Sequence, residues 1–177
     1  MVRRDCRAHG QSALVGLFCP KVSAAVQIRE GEDPDAGWIL DLGEELFHHL
    51  GDYREILGHW LELPRTKVLV AESDAERIGF TLLSPGRSIG FLWRPWAELV
   101  GIGVEQEHRG RGVGQQLLVA AIDVATEWRA SEVRLHTAAG NQIGQSFFHR
   151  HGFRTVSDDA SVYPSGETAV SMARSLV

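Results

Sequence analysis

The stretch Val104-Glu105-Gln106-Glu107-His108-Arg109-Gly110-Arg111-Gly112-Val113-Gly114 decides the reading of this chain. Before it runs a short apolar segment, Ala97 to Val104, which reads as a buried strand. After it, up to Arg129, Leu117, Ala121, Val124, Ala125 and Trp128 recur at helical spacing while Gln116, Asp123 and Glu127 stay polar. A strand thus passes through a glycine-rich loop into an amphipathic helix. The first turn of a helix has N–H groups without intrahelical partners, and the aligned peptide dipoles place about half a positive charge there. Phosphates bind such ends. Gly110, Gly112 and Gly114 let a pyrophosphate approach the main chain, and Arg109 and Arg111 offer forked donors that suit its oxygens. A tight turn with solvated arginines has the same letters, so the neighbours must decide.

Two familiar nucleotide loops fail on spacing. A P-loop needs Gly-Lys-Ser/Thr, whereas Gly112 is followed by Val113-Gly114-Gln115. The dinucleotide fingerprint Gly-x-Gly-x-x-Gly does not match Gly110-Arg111-Gly112-Val113-Gly114.

Outward from the loop the pattern continues. Glu132 to Thr137 reads as a strand, Asn141 to Phe153 as a helix ending in Gly152-Phe153, and Ala169 to Arg174 as a last strand. Upstream, Val26 to Arg29 reads as a first strand. Two helices follow, at 33–50 and 53–63, and then Lys67 to Ala71 and Ile78 to Leu83 flank a hairpin turn at 73–77. A further piece, Ser88 to Trp93, leads through Arg94-Pro95-Trp96 back to the central strand. Trp93 and Trp96 are candidates to line an acceptor pocket or to close a core edge.

The loop resembles the acyl-CoA loop of the GCN5-related N-acetyltransferases, Gln/Arg-x-x-Gly-x-Gly/Ala between a strand and a long helix. Arg109 to Gly114 matches every fixed position. The flanking elements extend the likeness over about residues 26–175. The resemblance implies a mixed α/β fold: a mostly antiparallel central sheet with one parallel strand pair forming the acyl-CoA cleft. It implies acetyl-CoA as co-substrate, held by Arg109, Gly110, Arg111, Gly112, Val113 and Gly114. The backbone of Ile102, Gly103 and Val104 would serve the oxyanion and the pantetheine amides, with Gly101 and Gly103 letting a ligand approach that strand. Asn141 would bond the pantetheine arm or act as a helix N-cap.

The implied activity is transfer of an acetyl group to a primary amine on a small molecule, a protein N-terminus or a lysine, by direct attack in a ternary complex. Glu98, at the start of the central strand, is the first candidate for the base, acting through water, and Glu105 the second. One position departs from the family pattern. Where many members place a Tyr that protonates the departing sulfur stands Phe148, which cannot donate; water, His149 or His151 are substitutes. The alternative that this suggests is an acyl-CoA-binding regulatory domain with weak or no turnover, and a generic nucleotide-binding module ranks third.

Composition bounds the rest. The 177 residues suit an N-terminal extension, 1–22, followed by one N-acetyltransferase domain, 23–177. Cys6 and Cys19 fall into no ligand pattern, and no apolar run approaches a membrane span, so a reduced cytoplasmic setting is expected. A formal net charge of −5 argues against a nucleic-acid partner. Between Glu30 and Glu62 ten acids face the single base Arg54, an acidic island that would attract a cationic amine or simply be solvated. The histidines form no ligand set, so no metal is expected, and a homodimer through an exposed strand edge is possible on this reading.

Overall fold

The computed structural model describes residues 25–86, 95–159 and 163–177. The expected extension 1–22 and the piece Ser88 to Trp93 lie outside the described residues.

In chain order the elements are β1 (Gln27–Glu30), α1 (Ala36–Phe47), α2 (Tyr53–Glu62), β2 (Lys67–Ser73), β3 (Glu76–Gly86), β4 (Trp96–Val104), α3 (Val113–Glu127), β5 (Glu132–Ala138), α4 (Gln142–Arg150), β6 (Arg154–Asp159) and β7 (Ala169–Ser175). The strands form one sheet in the order β1-β2-β3-β4-β5-β7-β6. Every described pairing is antiparallel except β4 with β5, which run parallel and are joined through α3. The mixed sheet with a single parallel pair is the architecture that the sequence implies. The helix expected over 33–50 is divided: a 3-10 turn at Asp33–Asp35 precedes α1, and another at His48–Leu50 follows it. Gly51, at φ 139°, stops the chain there, and the Asp52 carboxylate caps α2 by accepting from Glu55 N–H at 3.0 Å.

Two apolar layers hold the sheet. On one face α3 and α4 bury Leu117, Leu118, Ala121 and Phe148 against Leu83, Leu99, Leu135 and Met172. On the other, α1 and α2 bury Ile39, Leu42 and Leu57 against Val70, Phe80 and Leu82. That second layer covers the β2–β4 half. Beyond it Arg134 and His136 lie exposed on β5, and a depression of about 370 Å³ opens among Trp96, Arg134, His136, Val156, Ser171 and Ala173.

The feature that shapes the centre is a β-bulge in β4. Leu82 pairs with Gly101 and Leu83 with Leu99, so Val100 is the extra residue. The parallel pairing of β4 with β5 covers only Ala97–Val133, Glu98–Arg134 and Leu99–Leu135. From Val100 to Val104 the edge of β4 toward β5 has no strand partner among the described residues. Across the mouth of this opening, the α1–α2 connection meets the β6–β7 connection. Ser165 N–H donates to Leu50 O at 3.2 Å, Pro164 packs on Gly51, and the Tyr53 and Tyr163 hydroxyls are hydrogen-bonded, burial pushing both pKa values up.

Near β1, Asp35 is 3% exposed and fully engaged. Arg29 forks onto it at 2.6 and 3.0 Å, Glu32 N–H donates at 2.8 Å and Arg77 lies at 3.5 Å. These bonds, Arg29's above all, hold its carboxyl at about 2 against an ordinary 3.8. The unfolded chain therefore binds this proton more readily than the folded one. The resulting stabilisation, about 2 kcal/mol, is complete above about pH 4 and is lost as pH falls toward 2. Asp35→Asn is expected to reduce the drop in urea midpoint between about pH 6 and about pH 2.5; an unreduced drop would place the acid sensitivity elsewhere.

Candidate functional site

The loop after β4 has the character of an anion cradle. Gly110 and Gly112 adopt φ of 74° and 83°, and a side chain on either would meet nothing within 4 Å, so the main chain there is open. Gly112 is the N-cap of α3 and no side chain caps the first turn. The first intrahelical bond runs from Gln116 N–H to Gly112 O, which leaves the N–H groups of Val113, Gly114 and Gln115 without helical partners. Arg111 is exposed beside them. Arg109 turns back, its Nε donating to Val104 O at 3.0 Å, so one of the carbonyls at the end of β4 is already in use.

The open edge of β4 carries Ile102, Gly103 and Val104, while their other edge pairs with Thr81, Phe80 and Gly79. Gly101 and Gly103, expected to let a ligand approach this strand, also face the α1–α2 layer. A Cβ on Gly103 would stand 2.8 Å from both Leu46 and Phe80, and one on Gly101 3.6 Å from Leu57. Gly103 thus makes room for the α1–α2 layer, a Cβ on Gly101 would make an ordinary contact, and the opening lies next to the bulge.

Asn141 is the N-cap of α4: its carboxamide oxygen accepts from Gly144 N–H at 2.9 Å, and its Nδ2 donates to Thr137 Oγ1 at 3.3 Å. Phe148 is 6% exposed and packs between Phe147 and Phe153 at ring distances of 5.2 and 5.6 Å. It belongs to the core. His149 and His151 bond the carbonyls of Phe153 and Phe147 through Nδ1 at 3.1 and 2.8 Å, which ties both to the end of α4.

The candidate bases separate. Glu105 sits past the end of β4, where Trp38 Nε1 donates to it at 3.2 Å and His108 lies at 3.8 Å, toward the glycine loop. Glu98 sits on the last stretch where β4 and β5 still pair, with His136 Nδ1 3.6 Å from its Oε1. His136 was not singled out from the sequence. Its partner lies 38 positions away, and only the β4–β5 register brings them together. The alternation of β5 (Val133 and Leu135 inward, Arg134 and His136 outward) was the available signal.

Trp96 lines the depression, its ring covering Gly86 and lying 4.9 Å beneath the Arg134 guanidinium; Trp93 lies outside the described residues. The acidic island is partly neutralised by bases from outside it. Arg29 pairs with Asp35 and Lys67 with Glu30, while Arg54 pairs with Asp41 and Glu44.

Comparison with known proteins follows the same lines. The model of the Acetyltransferase (GNAT) family matches residues 28–153. The uncharacterized N-acetyltransferase YhfO of Bacillus subtilis strain 168 is 30% identical over 134 residues, covering 72% of this chain and 89% of that protein. Mycothiol acetyltransferase of Propionibacterium freudenreichii subsp. shermanii is 31% identical over 88 residues, 45% of this chain. The chain spans 28% of the length of that relative and 26% of the same enzyme from Clavibacter sepedonicus. The solved NatC complex bound to Gag peptide and CoA shares the fold, with a TM-score of 0.69 at 18% identity over 86% of this chain and 99% of that one. With the family model and YhfO both spanning most of the chain, around a sheet that opens beside an uncapped helix, the protein belongs to the GNAT acetyltransferase family.

Proposed function

We propose that this protein transfers an acetyl group from acetyl-CoA to a primary amine on a small molecule, a protein N-terminus or a lysine, by direct attack in a ternary complex. The observation that carries this reading is the open cradle at Gly110 to Gly114 beside the unpaired edge of β4. The cradle suits the pyrophosphate, with the uncapped N–H groups of α3 and the Arg111 charge. The β4 edge offers backbone groups to the pantetheine arm and to the tetrahedral oxyanion. Glu98 is the carboxylate nearest the point where the strands part, and it is the acid placed to serve proton removal; Glu105, held by Trp38, suits a structural role. The NatC structure, which holds a peptide and CoA on the same fold, supports an amine acceptor. Residual acids such as Glu45 and Glu55 support a cationic one, more weakly than the sequence count implies.

A thermal-shift titration tests the donor. Acetyl-CoA at 100 times its dissociation constant is expected to stabilise the fold by about 2.7 kcal/mol, a melting shift of roughly 5–10 °C. No shift would overturn the reading. Thiol release over a panel of amines then separates a transferase from a domain that binds acyl-CoA without turnover.

A further inference from the structure

We infer that His136 is the group that takes the proton from the acceptor amine, and that Glu98 acts on it as the orienting carboxylate. This rests on the acetyltransferase reading and specifies its proton path. The first support is position. Pairing between β4 and β5 ends at Leu99–Leu135, and His136 is the first residue of β5 beyond it. It therefore stands at the mouth of the opening, on the face away from α3 and α4, and it lines the depression that an acceptor would enter.

The second support is geometry within the pair. Nδ1 is the nitrogen that faces Glu98, at 3.6 Å. A proton on Nδ1 leaves the lone pair on Nε2, on the far side of the ring from the carboxylate. The carboxylate is the less exposed partner, at 25% against 37%. A carboxylate behind an imidazole fixes its tautomer and stabilises the imidazolium that forms.

The third is matching of acidities. An alkylammonium near pKa 10 gives its proton to an imidazole of about 6.5 far less unfavourably than to a carboxylate of about 4.3. Among the described side chains, the charged neighbours of His136 lie on β4, β5 and β6. Glu98 faces it from β4; Arg134, two residues back on the same face, is paired with Glu132. Opposite on β7 stands uncharged Ser171, and Arg154 lies at the sheet edge.

The step balances. One ammonium proton passes to His136 Nε2 and then to water. The freed lone pair forms the C–N bond to the thioester carbon, the C–S bond breaks, and the second nitrogen proton goes to the departing sulfur. The products are amide, CoA thiol and one released proton.

The test is the pH profile of kcat/KM with acetyl-CoA and the fastest amine of the panel. His136→Asn is expected to lower kcat/KM about 100-fold, to abolish the acid limb, and to leave the acetyl-CoA melting shift unchanged. Imidazole in the buffer should restore part of the rate to His136→Ala. Glu98→Gln should move the limb down by about one pH unit, because the imidazolium loses its anion. An acid limb that survives in His136→Asn, with rates near the original and the loss confined to Glu98→Gln, would overturn the assignment while leaving the transferase reading standing. An NMR titration needs no turnover: the His136 pKa should fall in Glu98→Gln, and an unchanged value would overturn the pair.

Discussion

Phe80→Ala is expected to lower the melting temperature by roughly 6–20 °C. Phe80 is fully buried under α1 and α2 and lies edge-on to Trp38 at 6.2 Å. Its ring also fills the space beside Gly43, Gly101 and Gly103. Removing a phenyl ring from such a site costs about 3–5 kcal/mol in lost transfer energy and residual cavity. For a chain of this size each kcal/mol moves the midpoint by about 2–4 °C. The same ring braces β4 just past its bulge, so the variant reports on whether the α1–α2 layer supports the open strand. Thermal and urea unfolding measure it. A shift below about 3 °C would mean that the layer contributes little.

Gly112→Asp is expected to weaken acetyl-CoA binding about 100-fold while costing the free protein only about 1 kcal/mol of stability. Asp enters the left-handed region more readily than most residues. At φ 83° the residue is still strained, at a cost of about 1 kcal/mol, which leaves the protein folded. The new carboxylate would stand where the cradle meets the pyrophosphate. Like charges about 5 Å apart at an effective dielectric of about 20 repel by about 3 kcal/mol, and every 1.4 kcal/mol is about tenfold in affinity. Titration calorimetry decides the matter. An affinity within threefold of the original would show that the anion does not sit at this loop.

How far the sequence carries depends on how local the controlling physics is. The helix α3 and its glycine loop were legible because periodicity, uncapped N–H groups and φ above zero are properties of adjacent residues. The strand β6 was not foreseen, since Arg154-Thr155-Val156-Ser157-Asp158-Asp159 has Val156 as its one apolar residue and owes its conformation to β7. Asp35 looked like one acid in a solvated run. Its burial depends on Arg29 and on Arg77, 42 positions away. The packing role of Gly103 was not legible, because nothing in its own segment reveals Leu46 and Phe80. His136 was legible as an outward residue of a strand, but its relation to Glu98 requires the register of two strands joined through α3.

The bulge at Val100 also fixes which way an acid points. Ala97 and Leu99 face α3, and after the extra residue so do Ile102 and Val104. In an uninterrupted strand, side chains alternate strictly. Ile102 and Val104 would then put residues 98 and 100 on the α3 side, driving the Glu98 carboxylate into the apolar core and Leu99 out. The inserted residue is thus a change of parity. It lets one strand serve the hydrophobic core at both ends and still keep a single carboxylate on the opposite face, where a proton can leave for water.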